Sequence, residues 1–372
     1  MNKLTHLKEK AKNKYYRDKS ELYGNDKSKA WQLVNDIANY KKKTKTNVKN
    51  MVDENGNKLT NSIDIANCLN NHFATVGNKM AQKFDDINSS RLKDPLSYIS
   101  KDVKNSLFLS LPTSHEISKI ISNSNEKKSS HGAISNKVTK MTNETISPYL
   151  EVLFQKCIKD GVFPDSFKIA EVIPLFKGGN REDKNCYRPI SLLPTISKIF
   201  ERILAKRLIS FFTKFDILSK DQFGFRAKFS TEYAIADIYD KLINNLDKRL
   251  SSCAIFLDLA KAFDSVSHEI LLRKLQHYGV RGKALELLRS YLSSRSQFVK
   301  LNGVKSSLAG IDFGVPQGSI LGPLLFLIFI NDLPNASNFY IKLFADDTFL
   351  CLQNKDFAAL EREVNVELDK VF

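Results

Sequence analysis

Two short apolar segments near the end of the chain, Tyr340 to Phe344 and Thr348 to Leu352, are separated only by Ala345, Asp346 and Asp347. So short a connection leaves room for little but a tight turn, and the pair reads as an antiparallel hairpin with two acids at its tip. Asp258 stands 88 residues before Asp346, at the end of another apolar run, Cys253 to Leu257, which reads as a short buried strand. A sheet that pairs this run with the hairpin brings three carboxylates together. Like charges held that close are costly unless a cation neutralises them. A donor set of carboxylates alone suits hard magnesium, whereas zinc would want His or Cys. By itself an Asp-Asp pair at a turn is ordinary turn chemistry, so the rest of the chain decides its meaning.

The charge balance points to a polyanionic partner. Of the 372 residues, 57 are Lys or Arg and 41 are Asp or Glu, a formal charge of +16 with a pI near 9.4, which favours nucleic acid. Residues 1 to 60 hold 15 basic against 7 acidic side chains, half of the whole excess, and read either as a solvated tail or as a nucleic-acid-binding arm. The 5 cysteines, at positions 68, 157, 186, 253 and 351, are odd in number and lack close-paired spacing. That pattern argues against a disulfide framework or a zinc site and for a reducing intracellular compartment, nucleus or cytoplasm. The start is basic without an apolar signal region, and the longest apolar stretch, Ile320 to Ile330, is too short to span a bilayer, so no membrane is expected.

Periodicity predicts a mixture of helices and strands. The first 50 residues read as a peripheral arm, with a short amphipathic hint in Trp31, Val34, Ile37 and Ala38. Asn55-Gly56 reads as a hairpin turn and Ile63 to Phe84 has helical spacing, while Ser122 to Ser130 is polar and reads as a loop. Leu150, Leu153, Phe154, Cys157 and Ile158 fall on one helical face that Gly161 and Pro164 terminate. An extended run Ile169 to Phe176 follows, then a helix burying Ile196, Ile199, Phe200, Ile203 and Leu204, and helical stretches at Thr231 to Leu246, Ile270 to Tyr278 and Lys283 to Tyr291. Pro323 is placed to open a buried helix reaching Ile330.

With these elements in place, five segments are recognisable. Phe256-Leu257-Asp258-Leu259-Ala260-Lys261-Ala262-Phe263-Asp264, Gly314-Val315-Pro316-Gln317-Gly318-Ser319 with Ile320-Leu321-Gly322-Pro323, and Phe344-Ala345-Asp346-Asp347 resemble three palm motifs of reverse transcriptases, in the family's order. Tyr187-Arg188-Pro189-Ile190-Ser191-Leu192-Leu193 and Gln222-Phe223-Gly224-Phe225-Arg226 resemble fingers segments of the non-LTR retrotransposon subgroup. The resemblance spans about residue 110 to 355.

It implies an α+β right-hand polymerase fold. The expected division is a basic N-terminal region over 1–110, fingers over 111–250 and a palm with an antiparallel sheet over 251–372, the reverse transcriptase domain lying at about 165–355. Asp258 and Asp346 would be the principal ligands of two magnesium ions, for which manganese could substitute, with Asp347 completing the acidic cluster. The reaction would be in-line transfer of a nucleotide from a deoxynucleoside triphosphate to a primer 3′-hydroxyl, directed by template RNA. Lys177 and Arg188 match the family's basic residues that close on the triphosphate, and the planar Arg fork suits phosphate oxygens best. Phe263 matches the aromatic gate against a ribose 2′-hydroxyl, which disfavours a ribonucleotide polymerase. Gln317 matches a residue that positions nucleotide and sugar, and Gly314, Gly318 and Gly322 either admit substrate or merely shape a turn. Gln222, Phe223, Gly224, Phe225 and Arg226 would contact template, by stacking and by phosphate pairing, although Phe223 and Phe225 alternate and are also readable as inward packing.

Two departures stand out. Lys128-Ser129-Ser130-His131-Gly132-Ala133-Ile134 lacks the Asp that relatives show there, and only 25 residues follow Asp347, which leads us to expect no thumb. The final stretch, with Phe357, Leu360, Val364, Leu368 and Val371 near heptad spacing, then reads as an amphipathic palm helix without a covering partner. The rival to an active polymerase is therefore a truncated relic that keeps the fold and nucleic-acid binding.

Overall fold

Polar on every side, helix α1 (Lys3–Tyr23) has no apolar stripe to bury, and its residues are almost all exposed. The computed structural model describes residues 3–23, 26, 29–31, 33–34, 48–85, 94–124 and 134–371, in two compact units, Met1–Asn47 and Val48–Phe372. Ile37 and Ala38, and all of the Lys128 to Ile134 segment except Ile134, lie outside the described residues.

The second unit begins with strands β1 (Met51–Val52) and β2 (Lys58–Leu59), paired antiparallel. Asp53 accepts backbone hydrogen bonds from Asn55 and Asn57, both at 2.8 Å, so the Asn55-Gly56 turn is held by an Asx-type cap. Helix α2 (Ser62–Asp85) follows and lies against the sheet described below. Its Ile65, Leu69 and Phe73 share an apolar cluster with Met51, Val172, Tyr187 and Val299. The N-terminal region expected to reach residue 110 is thus part of the body from Val48 onward, because α2 buries an apolar stripe there.

Next come α3 (Ser114–Ser122), α4 (Asn136–Met141), α5 (Asn143–Asp160), strands β3 (Ile169–Phe176) and β4 (Tyr187–Leu192), and α6 (Thr195–Lys214). Gly161 caps α5 at φ 72°. Then follow α7 (Thr231–Asp247), β5 (Ser251–Asp258), α8 (His268–His277), α9 (Lys283–Leu292), β6 (Arg295–Leu301), β7 (Val304–Lys305) and β8 (Ala309–Ile311). Helix α10 (Leu321–Phe329), strands β9 (Tyr340–Phe344) and β10 (Asp347–Asn354), and α11 (Phe357–Val371) close the chain.

Two sheets organise these elements. A five-stranded mixed sheet runs β4-β3-β6-β7 with β8 also on β6, and β3 and β6 are parallel. A boundary at residue 250 would cut this sheet, since β6 to β8 come from the later segment. The other is an antiparallel sheet in the order β5-β10-β9. Against the antiparallel sheet the largest apolar cluster gathers stacked Phe154, Phe200 and Phe163, with Tyr291 edge-on to Phe163 at 5.0 Å, and nearly every side chain of α10.

Two expectations change here. Strand β5 is not buried on both faces: Cys253, Ile255 and Leu257 pack on the core while Phe256, on the opposite face, is 77% exposed, as in an antiparallel sheet with its core on one side. Nor does α11 lack a partner, because Leu360 and Val364 are buried against the sheet. Among the described residues no helix is long and apolar enough to cross a membrane.

Candidate active site

Strands β5 and β10 pair in a register that sets Asp347 opposite Asp258, Phe349 opposite Phe256 and Cys351 opposite Ala254. Direct partners in an antiparallel pair point to the same face, so the two carboxylates stand side by side next to the Phe256 and Phe349 rings, 5.2 Å apart. On the far side β9 sets Phe344 opposite Asp347. Asp346 sits in the turn, half-buried, whereas Asp258 and Asp347 are exposed. A cavity of about 390 Å³ opens beside the acids, lined by Ile235 and Ile238 of α7 and by Phe256, Lys342 and Phe349 of the sheet.

Among the described residues no three His, Cys, Asp or Glu side chains converge into a ready-made metal cage. The oxygen-only donor set nonetheless fits magnesium, which keeps several waters and takes one or two carboxylates together with substrate phosphates.

The acid-bearing turn is braced from below. Ala345 adopts φ 58°, a left-handed conformation that a non-glycine residue keeps only when its surroundings hold it. Gln222 does so: its buried Oε1 accepts from Ala345 N at 3.0 Å and from Gly224 N at 2.7 Å. Phe223 N donates to Leu343 O, and Leu343 N to Asp221 O, each at 2.8 Å. Gly224 packs so closely that a side chain there would collide with the Ala345 backbone.

The segment expected to contact template divides between core and surface. Gln222 and Phe223 are buried beneath the turn, and the Arg226 guanidinium folds back onto Gln222 O and over the Phe229 ring at 4.2 Å. Phe225 alone presents a large side chain to solvent, 60% exposed. The alternation of Phe223 and Phe225 is thus half inward packing and half surface.

The predicted basic residues lie on one side of the β3-β4 hairpin. Arg188 is opposite Leu175, and Lys177 follows at the strand end, where its N–H donates to Cys186 O at 2.9 Å. Ile173, Leu175, Lys177 and Arg188 are exposed, while Val172, Phe176 and Tyr187 turn to the second apolar cluster. Lys177 also acts electrostatically on the turn that follows Asp258. Lys261, three residues after Asp258, has its ammonium pulled below the usual lysine value by burial, and the Lys177 and Lys184 charges push the same way.

Phe263 stacks on Phe326 of α10 at 4.8 Å and meets Phe225 edge-on at 6.0 Å. Gln317 is tied at both ends: its carbonyl accepts from Ser191 N of β4 at 2.8 Å, and its Nε2 donates to both carboxylate oxygens of Asp264 at 3.0 Å. At Gly318, φ 121°, a Cβ would come within 2.5 Å of Ser191 O. The glycine is therefore required by strand contact, and the turn-shaping reading accounts for it.

Two working residues escaped the sequence reading. Glu201, fully buried, accepts from Ile320 N at 2.8 Å and Leu321 N at 3.1 Å, capping α10 in a way that had been credited to Pro323 alone. Burial pushes its carboxyl up. Its signal was an acid on the same α6 stripe as Ser197, Leu204 and Leu208. Asp264 was read only as the end of a motif.

Residues 177–369 match the family model described as reverse transcriptase (RNA-dependent DNA polymerase). The chain is 30% identical over 305 residues to the RNA-directed DNA polymerase from mobile element jockey of Drosophila melanogaster, covering 78% of this chain and 33% of that protein. It is 33% identical over 242 residues to the probable RNA-directed DNA polymerase from transposon X-element of the same species, covering 63% and 26%. A similar protein of transposon BS is 30% identical over 294 residues, covering 77% and 31%. The chain therefore spans about a third or less of the length of these relatives.

Proposed function

The chain belongs to the reverse transcriptase (RNA-dependent DNA polymerase) family, of the non-LTR retrotransposon type, and from that premise we propose that it is the nucleotide-adding part of an RNA-directed DNA polymerase. The observation that carries this reading is the register of Asp347 against Asp258, with Asp346 in the adjoining turn.

In this reading Asp258 and Asp346 hold two divalent cations, magnesium or manganese, with Asp347 completing the acidic face. Bound there, such ions supply Lewis-acid activation of a primer 3′-hydroxyl and charge neutralisation for departing pyrophosphate. Arg188 and Lys177 bind the incoming triphosphate from the exposed face of the β3-β4 hairpin, with Lys261 beneath. Phe263, wedged between Phe326 and Phe225, stands under the sugar, where a held ring excludes a 2′-hydroxyl better than a mobile one. Gln317 positions the nucleotide, and Phe225 offers a stacking surface for template. No side-chain nucleophile is required, so the chain contributes positioning and electrostatics. Fingers function is assigned to the β3-β4 hairpin with its neighbours and palm function to the β5-β10-β9 sheet. Template RNA, a DNA primer and deoxynucleoside triphosphates are the partners, consistent with the net charge of +16.

The test is extension of oligo(dT) on poly(rA) by the purified chain with magnesium and dTTP, beside an Asp346→Ala, Asp347→Ala double variant. Extension by the parent chain and its loss in the variant is the expected result. No extension by either, under conditions where primer-template is bound, would overturn the proposal.

A further inference from the structure

Asp264 ends the turn that follows Asp258 and faces a small cavity of about 30 Å³ whose mixed lining includes Gln317, Ser191 and Arg295 beside Phe73 and Phe313. Backbone hydrogen bonds that do not involve its carboxylate zip the two turns together: Val315 N donates to Phe263 O and Gly314 N to Val266 O, each at 2.8 Å. The Gln317 main chain is held separately, on Ser191. What Asp264 itself controls is the Gln317 side chain. The two ends of an amide are nearly isosteric and differ only in donating or accepting. An ionised carboxylate accepts and never donates, so it selects Nε2. The planar amide then turns Oε1 away from Asp264.

We propose that Asp264 is a positioning residue for nucleotide selection, fixing the Gln317 amide so that its oxygen, rather than its nitrogen, faces the nucleotide. The inference rests on the polymerase reading above and adds a residue to it. Burial pushes the Asp264 carboxyl up to about 6, against Gln317 and Lys261, which hold it down. Once protonated, Asp264 gains a donor and can hold Oε1 instead, which frees the amide to flip. The charged groups around it are Lys261 on its own turn, bonded to His72 of α2, and Arg295 of β6 across the cavity. His268 of α8 lies nearby, its ring on Gly314 O at 2.7 Å.

Four versions of the chain test this: the parent, Asp264→Asn, Gln317→Ala and the double variant. Asn can offer either end to Gln317 and so removes selection without removing volume. We expect Asp264→Asn to raise the KM for dTTP about tenfold with kcat changed about twofold or less, and to reduce preference for dTTP over UTP. In the Gln317→Ala background it should add nothing. Independently of activity, the ¹⁵N-labelled Gln317 side-chain amide should titrate with a midpoint near 6 in the parent and not in Asp264→Asn. Additive losses in the double variant, or an amide that does not titrate, would overturn the proposal. If the parent extends no primer while its Gln317 amide titrates as stated, the polymerase reading falls and the Asp264–Gln317 link stands.

Discussion

The antiparallel β5-β10-β9 sheet and the β3-β4 hairpin carry the charges of the proposed site, opposite in sign, and hold them by opposite means. The acids are placed by backbone register: Asp347 faces Asp258 through a continuous ladder, and the turn with Asp346 is braced by the buried Gln222. The bases stand on an exposed hairpin face whose connecting loop contains Gly178 and Gly179, at φ 130° and 89°. A carboxylate that shares a cation with its neighbours must be placed to a fraction of an ångström, so it belongs on a rigid ladder. A cation that closes on a long flexible triphosphate needs reach and release, which a hairpin end with glycines provides. Rigidity on one side and compliance on the other is therefore the expected division of labour.

The largest effect should come from disturbing the brace without touching an acid. Gly224→Ala places a methyl against the Ala345 backbone, and a displacement of about 1 Å costs on the order of a hundredfold in kcat. Primer-template affinity should hardly change. If Gly224→Ala instead weakened template binding and left kcat intact, the segment would be a template contact after all and the contrast between the two sheets would fail. Phe225→Ala, on the exposed side of the same segment, should show the reverse pattern, weakening template binding by a factor equivalent to about 1–3 kcal/mol per stacked base.

On the compliant side the losses should be smaller and should fall on nucleotide binding. Arg188→Ala is expected to raise the KM for dTTP about tenfold, in line with a lost charge-assisted pair, with a lesser change in kcat. Lys177→Ala should cost less, because a flexible ammonium at a loop end is a looser partner than a planar fork. A kcat loss in Arg188→Ala as deep as that of Gly224→Ala would mean that the hairpin is as rigidly committed to the chemistry as the acids are.

The same contrast explains what could be read from the sequence. The hairpin was legible from apolar spacing and from the shortness of the Ala345-to-Asp347 link, whereas its partnership with Asp258 was one pairing that the strands allowed and that the motif resemblance singled out. The braces were not legible. Gln222 and Asp264 sit in short polar segments whose partners, Ala345 and Gln317, lie far along the chain, and no periodicity announces a hydrogen bond between distant turns. Exposure was misjudged at β5 for a related reason: an apolar run does not say how many of its faces a neighbour will cover. The α2 helix was legible as a helix, while its role in closing the five-stranded sheet depends on Met51, Val172 and Val299, which only the fold brings to it.

The smallest effect concerns the seam where the two regions meet. Lys261, in the turn after β5, donates to Nε2 of His72 on α2 at 3.0 Å, and His72 is 7% exposed. Burial, then the charges of Lys261 and Lys184, push this imidazole down to about 4 from 6.5, with Asp183 opposing. Between those values the unfolded chain binds a proton that the folded chain refuses, so this site makes stability fall as pH drops from 6.5 toward 4. Asp264, whose carboxyl is pushed up, contributes in the opposite direction over part of the same range, so only a difference measurement isolates the histidine. Urea unfolding of the parent and of His72→Gln at pH 7 and pH 4.5 should show the parent losing about 1 kcal/mol more than the variant on acidification. Equal losses would mean that the seam is open enough for His72 to take up its proton in the folded state. The link between the two regions would then rest on other contacts, among them that of Ser191 N on Gln317 O.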